Sequence, residues 1–231
     1  MCTVTYLPKA GSSIVTANRD ESLVRNADGL SPYLSADKGE YLIAKEPLHG
    51  GTNLAIGKHN TTVLLNGAFV PHQRKLRYRK SRGIVVLDSL DHSSLKEFSA
   101  EQLERVEPFT LLRFGKEIEE LRWDESIAHY RTYNPRKPLI VASAQLYSSR
   151  VRDNRQKWFD DLMSQAPLDS SKIWSFHLHG GNGDPENDMV MNRGNMVQTV
   201  SVSQIVMSGT EQRVKHFDLV RNKHEELTLS L

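Results

Sequence analysis

Cysteine is all but absent from this chain. Among 231 residues there is one, Cys2. An intramolecular disulfide is therefore excluded, and a reducing compartment is the easier reading. Long apolar runs are missing as well: there is no window of 18 apolar residues, so no membrane-spanning helix is expected. The opening MCTVTYLPKAG lacks the charged start and the apolar stretch of a secretory signal. These absences point to the cytoplasm or to an organelle interior. Charge of one sign is lacking too, since a net charge of +2 is too small to argue for nucleic acid. Repeats, low-complexity tracts and linker-like stretches are not seen. What is present is an ordinary globular composition, 38% hydrophobic and 25% charged, which excludes disorder. The length fits one domain over residues 1–231, able to bury roughly 70% of its unfolded surface without metals or staples.

The β-rich segments CTVTYL (2–7) and SSIVTA (12–17) flank Pro8-Lys9-Ala10-Gly11 and predict a hairpin. With the turn centred near Lys9 and Ala10, cross-strand position numbers sum to about 19 or 20. Cys2 then faces Ala17 or Asn18, and Asn18-Arg19-Asp20-Glu21 leaves the second strand beside it. A loop over 22–39 is followed by strands at 40–44, 53–57 and 61–66, then by a basic loop at 72–82. Residues 83–90 and 94–105 read as helical, with Leu95, Phe98 and Leu103 as a partial apolar face. A second hairpin turns at Gly115, between 108–114 and 117–122, and 138–144 is an apolar strand. Residues 151–166 form an amphipathic helix with Val151, Trp158, Phe159, Leu162 and Met163 on one side. Two strands, about 197–207 and 213–220, end the chain. Many strands with two or three helices predict an α+β domain.

Cys2 is the first candidate for chemistry. Methionine aminopeptidases remove Met1 when the second residue is small, which leaves a cysteine with both a thiol and a free α-amine. The amine titrates near 8 and can act as a base. The thiol is the most nucleophilic side chain at neutral pH. Arg19 can favour the thiolate, Asp20 can accept a hydrogen bond from the α-ammonium, and Asn18 can donate to an oxyanion. On these residues alone the plainer reading stays open: a small buried cysteine at a strand start, followed by a solvated loop.

The motifs Met1-Cys2-Thr3-Val4-Thr5, Asn18-Arg19-Asp20-Glu21 with Arg25, Gly50-Gly51-Thr52-Asn53, Leu65-Asn66 and Ser81-Arg82-Gly83 resemble the NRDE family, that of transport-and-Golgi-organisation protein two. The resemblance covers roughly residues 1–90 well and continues weakly through Pro108-Phe109 and Thr199-Val200. That family looks like a distant relative of the cysteine N-terminal-nucleophile hydrolases, such as choloylglycine hydrolase and penicillin V acylase. The resemblance implies a four-layer αββα sandwich, with Cys2 as nucleophile, Asp20 as the aspartate at the α-amine and thiol, and Asn66 as an oxyanion-hole amide. Taken alone, Asn66 reads equally well as an Asn-Gly turn with Gly67. Glu21, Arg25, Arg82 and Arg193 enter as ligand-binding positions. Two departures weaken the transfer of catalysis: Ala17 and Ala144 stand where the hydrolases carry an arginine and an asparagine.

His177 and His179 in FHLHGGNGDPEND share one face if that segment is a strand, which would allow a common metal or haem ligand. The loop 72–82 holds Arg74, Lys75, Arg77, Arg79, Lys80 and Arg82. It reads as a solvated loop or as a clamp for phosphate or carboxylate. Two functions remain: an amidase- or thioesterase-type enzyme acting through Cys2 with no required cofactor, or a non-catalytic binding and trafficking protein. The second would carry haem or an acyl-coenzyme A on the same scaffold.

Overall fold

The structure is a computed structural model that describes residues 3–36, 39–98, 100–165, 167–209 and 211–230. Cys2, on which the sequence argument turns, lies outside the described residues, as does Met1. In chain order the strands are β1 (Thr3–Lys9), β2 (Ser12–Glu21), β3 (Ser31–Ser35), β4 (Gly39–Lys45), β5 (Thr52–Gly57), β6 (Thr61–Asn66), β7 (Phe109–Phe114), β8 (Ile118–Trp123), β9 (Ala128–Tyr133), β10 (Leu139–Ala142), β11 (Asn192–Arg193), β12 (Val197–Ser208), β13 (Glu211–Asp218) and β14 (Lys223–Ser230). The helices are α1 (Arg82–Ser89), α2 (Ala100–Leu103), α3 (Ser149–Met163) and α4 (Ser170–His179). The chain is thus α+β and rich in strands, as its sequence implies. It forms two compact units: Met1–Asn26, Pro138–Ala142 and Tyr147–Leu231 make the first, Ala27–Lys137 and Ser143–Leu146 the second.

The first unit is built on an antiparallel sheet in the order β10-β1-β2-β12-β13-β14, with β11 paired to β12. Its hairpin pairs Thr3 with Asn18, Thr5 with Thr16, Leu7 with Ile14 and Lys9 with Ser12. The turn is therefore Ala10-Gly11, one position later than the sequence reading places it. Gly11 takes φ +71°, a conformation that glycine adopts without a Cβ clash, and this sets the register. A second correction concerns Asn18-Arg19-Asp20-Glu21, which does not leave the strand. β2 continues to Glu21 because β12 supplies the missing partner, pairing Val202 with Asn18, Ser201 with Arg19 and Thr199 with Asp20 across a bulge.

Helices α3 and α4 cover one face of this sheet, α3 against β10 and α4 against β2 and β12. Leu7, Ile14, Leu168 and Ile173 form one apolar cluster there; Ile140, Phe159, Phe176 and Met189 form another. Both helices start on side-chain caps. Ser148 accepts from the Val151 amide at 3.4 Å and Asp169 from the Lys172 amide at 2.9 Å.

The second unit is a meander, β3-β4-β5-β6-β7-β8-β9, antiparallel throughout. Its core is apolar, with Leu54, Ile56, Val63, Leu65, Phe109 and Leu111 buried. Helix α1 packs on β5 and β6 at backbone contact. A Cβ on Gly51 would lie 2.7 Å from the Gly83 carbonyl carbon, and one on Gly83 would lie 2.9 Å from the Thr52 nitrogen. The glycines Gly51 and Gly83 of two of the motifs are thereby explained as a packing requirement. The helix read over 94–105 is broken into a 3-10 turn at Leu95–Glu97 and the short α2. Ser94 and Glu97 cap that turn reciprocally, and Leu95, Phe98 and Leu103 are buried as expected.

Candidate functional site

Along the β1–β2 hairpin, the residues that face α3 and α4 change character. Next to the turn the pair is Leu7 and Ile14, then Thr5 and Thr16, then Thr3 and Asn18, with Asp20 beyond. All are buried. Buried polar groups require partners, and this end of the sheet supplies them from α3, α4 and the loop after α4.

Asn18 is 1% exposed. Its amide donates to the carbonyls of His177 at 3.0 Å and Met189 at 2.6 Å. Its Oδ1 therefore accepts, and the partner is Nδ1 of His177. That assignment places the imidazole proton on Nδ1 and makes Nε2 the acceptor of the Thr5 hydroxyl at 2.7 Å. His177 is fully buried, and burial, followed by the charge of Arg155, pushes its pKa down to about 3. It is a neutral, doubly hydrogen-bonded imidazole. Both amide hydrogens of Asn18 are engaged in fastening β2 to α4 and to the 189 segment, so an oxyanion would have to displace a backbone carbonyl to reach them.

Asp20 is 2% exposed. One carboxylate oxygen accepts from the Tyr147 hydroxyl, the other from the Thr199 hydroxyl at 2.6 Å. The Tyr147 ring lies beneath the Arg155 guanidinium, 3.9 Å from its centroid, and 5.4 Å from that of Arg193. Arg155 is itself completely buried. It donates to Thr3 Oγ1, to the Asn187 carbonyl at 3.1 Å and to the Asp188 carbonyl at 2.6 Å. Sequence reasoning missed Tyr147 and Arg155. A signal existed for Arg155, which sits four residues from both Val151 and Phe159 on the buried stripe of α3, where a charge is out of place. For Tyr147 there was none.

Successive side chains of a strand point to opposite faces. Arg19 and Glu21 accordingly lie on the face of β2 away from Asn18 and Asp20. Arg19 donates to the Arg25 carbonyl at 2.8 Å, and Arg25 pairs with Glu21 at 3.5 Å. Arg193 does join the Asp20 network, through the Tyr147 ring, and it donates to Asn187 Oδ1 at 2.9 Å. Asn66 and Arg82 belong to the second unit. Asn66 ends β6, and its backbone carbonyl accepts from the Ser143 hydroxyl at 2.7 Å and the Gln145 amide at 3.1 Å. Arg82 reaches Glu107 at 3.3 Å and the Pro108 carbonyl at 3.2 Å.

The histidine pair is corrected. His177 and His179 lie on helix α4, not on a strand. Two positions apart on a helix point to nearly opposite sides. His177 is buried and His179 exposed, so they share no ligand. Among the described residues no group of three or more His, Asp, Glu or Cys side chains is placed to hold a metal, and no helix is long and apolar enough to cross a membrane. In the basic loop the cations other than Arg77 are matched locally. Lys75 meets Glu125 at 2.8 Å, Arg74 reaches Glu107 at 3.9 Å, Lys80 pairs with Asp88, and Arg79 caps the carbonyls that end α2.

Residues 1–172 match the model of the Transport and Golgi organisation 2 family. The matched span includes β2, Tyr147 and Arg155; His177, Arg193 and Thr199 lie beyond it. The fold is also similar to a solved structure of penicillin V acylase from Agrobacterium tumefaciens, at a TM-score of 0.41 and 10% identity, over 98% of this chain and 91% of that one. A likeness of that degree carries no argument about fold or chemistry. Among curated proteins none matches.

Proposed function

We propose that this chain, which belongs to the Transport and Golgi organisation 2 family, carries a hydrolase-type site in which Cys2 is the nucleophile and Asp20 the carboxylate that serves it. The observation that carries the reading is the Asp20 carboxylate, 2% exposed and held at both oxygens by hydroxyls of Tyr147 and Thr199. A buried carboxylate oriented at both ends is suited to a task that depends on its direction. In this reading Met1 is removed, and Asp20 orients the α-ammonium of Cys2. The scaffold is the four-layer αββα arrangement of the N-terminal-nucleophile hydrolases, and the resemblance assigns the oxyanion amide to Asn66.

The substrate class is a non-peptide amide or a thioester. The α-amine takes the thiol proton, and the sulfur forms a bond to the carbonyl carbon while the carbonyl electron pair moves to oxygen. Collapse of that adduct breaks the bond to nitrogen or sulfur, and the leaving group takes the proton from the ammonium. Water then cleaves the acyl-cysteine, which releases a carboxylic acid and restores the thiol. Intact-mass spectrometry of the purified full chain, before and after incubation with aryl amides and acyl thioesters, is the test. The expected result is a chain without Met1 that gains one acyl mass on Cys2. Retention of Met1, with no adduct on any substrate, overturns the reading.

Asn18 favours a second reading, binding without catalysis. Its amide hydrogens are committed to backbone carbonyls, and Ala17 and Ala144 stand where the hydrolases carry polar side chains. The ligand would then be haem or an acyl-coenzyme A. Saturable micromolar binding of either, unchanged in Cys2→Ala, is the expected result; no saturable binding of either overturns it.

A further inference from the structure

We infer that Tyr147 and Arg155 are positioning residues for Asp20: the Arg155 guanidinium holds the Tyr147 ring, and the ring hydroxyl holds the carboxylate. The inference rests on the reading above, in which Asp20 acts on Cys2. Both side chains are 0% exposed. The guanidinium lies 3.9 Å from the ring centroid, a stacking that fixes the ring plane and withdraws electrons from its face. The hydroxyl of that ring donates to Asp20. The same guanidinium is anchored on three sides, at Thr3 in β1 and at the carbonyls of Asn187 and Asp188 in the loop after α4. It thus ties the ring to the first described residue of β1 as well as to the loop.

The position itself argues against a purely structural role. Between Val151 and Phe159, on the buried stripe of α3, an apolar side chain would fill the space without desolvating a charge. Among the described residues Arg155 faces no carboxylate within ion-pair distance, and its Nε has no hydrogen-bond partner. Also at this end are Arg193, 5.4 Å from the same ring centroid, His177, which is neutral, and Asp188, whose carboxylate accepts from the Asn182 and Gly183 amides. An uncompensated buried cation aimed at a tyrosine that grips a carboxylate is economically explained as a means of fixing that carboxylate.

The sole cysteine makes the test specific, because alkylation of the full chain reports on Cys2 alone. The rate of iodoacetamide alkylation is measured across pH 5–9 (about one unit per step) in the wild type, Asp20→Asn, Tyr147→Phe, Arg155→Met and Arg155→Lys, with folding of each checked by circular dichroism. Asp20→Asn is expected to move the profile. Tyr147→Phe, which deletes one oxygen, moves it in the same direction, by at least about three-fold in rate at fixed pH, the size of half a pKa unit. Arg155→Met does the same and adds nothing in the Tyr147→Phe background, while Arg155→Lys restores part of the effect. If Asp20→Asn leaves the profile in place, the reading of the site fails. If Asp20→Asn moves it and folded Tyr147→Phe does not, the positioning inference alone is overturned. Should Arg155→Met not fold, Tyr147→Phe and Arg155→Lys decide the matter, since a Lys variant that changes only thermal stability makes Arg155 structural.

Discussion

The two units bury charge in different ways. In the second, three buried or half-buried clusters are answered by an opposite charge or by a helix end. Arg113 donates to the carbonyls of Ser89 and His92 where α1 finishes, Arg122 pairs with Glu120 at 2.8 Å, and Glu107 gathers His72, Arg74 and Arg82. In the first, Asp218 is likewise paired with Arg221 at 2.7 Å, but Arg155 is met by a threonine, two carbonyls and an aromatic face, and Asp20 accepts from two hydroxyls. Charges that neutralise one another finish a fold. Charges held apart by neutral dipoles keep their field available, at a cost in stability, and that is the pattern of a working site.

The sharpest way to break the comparison is Asn18→Leu. It leaves two backbone carbonyls and Nδ1 of His177 without the partners they have, and we expect a loss of roughly 3–5 kcal/mol, seen as a fall of about 10 °C in the melting temperature. A fall of only a degree or two would mean that the polar end of the hairpin is not integral to the first unit.

The next effect is one of acidity. Folded His177 stays neutral down to about pH 3, whereas an unfolded histidine titrates near 6.5. Between those values the unfolded chain takes up a proton that the folded chain refuses, so stability is complete above about pH 6.5 and declines as pH falls, by about 1.4 kcal/mol per pH unit. His216, likewise lowered by burial, steepens the slope. Urea melts at neutral pH and about pH 5 should show that slope reduced by one proton in His177→Gln; an unchanged slope counts against a neutral His177.

In the second unit the same kind of change matters less. Glu107→Gln keeps an oxygen for His72 and Arg82 while removing the buried charge, and the expected loss is about 1 kcal/mol, with the exposed Arg74 part of it screened in high salt. A larger loss would erase the contrast between the units. At the far end of the scale Leu76, which is fully exposed in the basic loop, should tolerate serine with a change within about 0.5 kcal/mol.

The strands of the second unit were largely legible because they pair with their neighbours in sequence. β5, β6 and the β7–β8 hairpin around Gly115 fall within a residue or two of where alternation and turn residues put them. The edge strands β3 and β9 were not, since their half-exposed faces carry little apolar pattern. In the first unit the hairpin was legible and its register was not, because Gly11, rather than Pro8 or Lys9, decides the turn. Helix α4 escaped because SSKIWSFHLH mixes aromatic and β-branched residues, and the helix is fixed by the Asp169 cap and by packing on Leu7 and Ile14. The continuation of β2 through Glu21 depends on β12, which no local pattern announces. Asp20 was reached from the hairpin register and from resemblance, and the structure adds Tyr147 and Arg155, which neither supplied.

The nesting of the units has a consequence for biosynthesis. Residues 27–137 of the second unit form one uninterrupted stretch between β2 and β10, and the meander they make is complete before the ribosome reaches Pro138. The partners of Asn18 and Asp20 come later, separated from them by 127 residues for Tyr147, 159 for His177 and 179 for Thr199. A nascent chain therefore waits with β2 half paired and its polar end unsatisfied while most of the protein is made. Premature stops after the second unit would leave a folded meander trailing a sticky, unpaired strand edge, an arrangement that quality-control machinery is well placed to recognise.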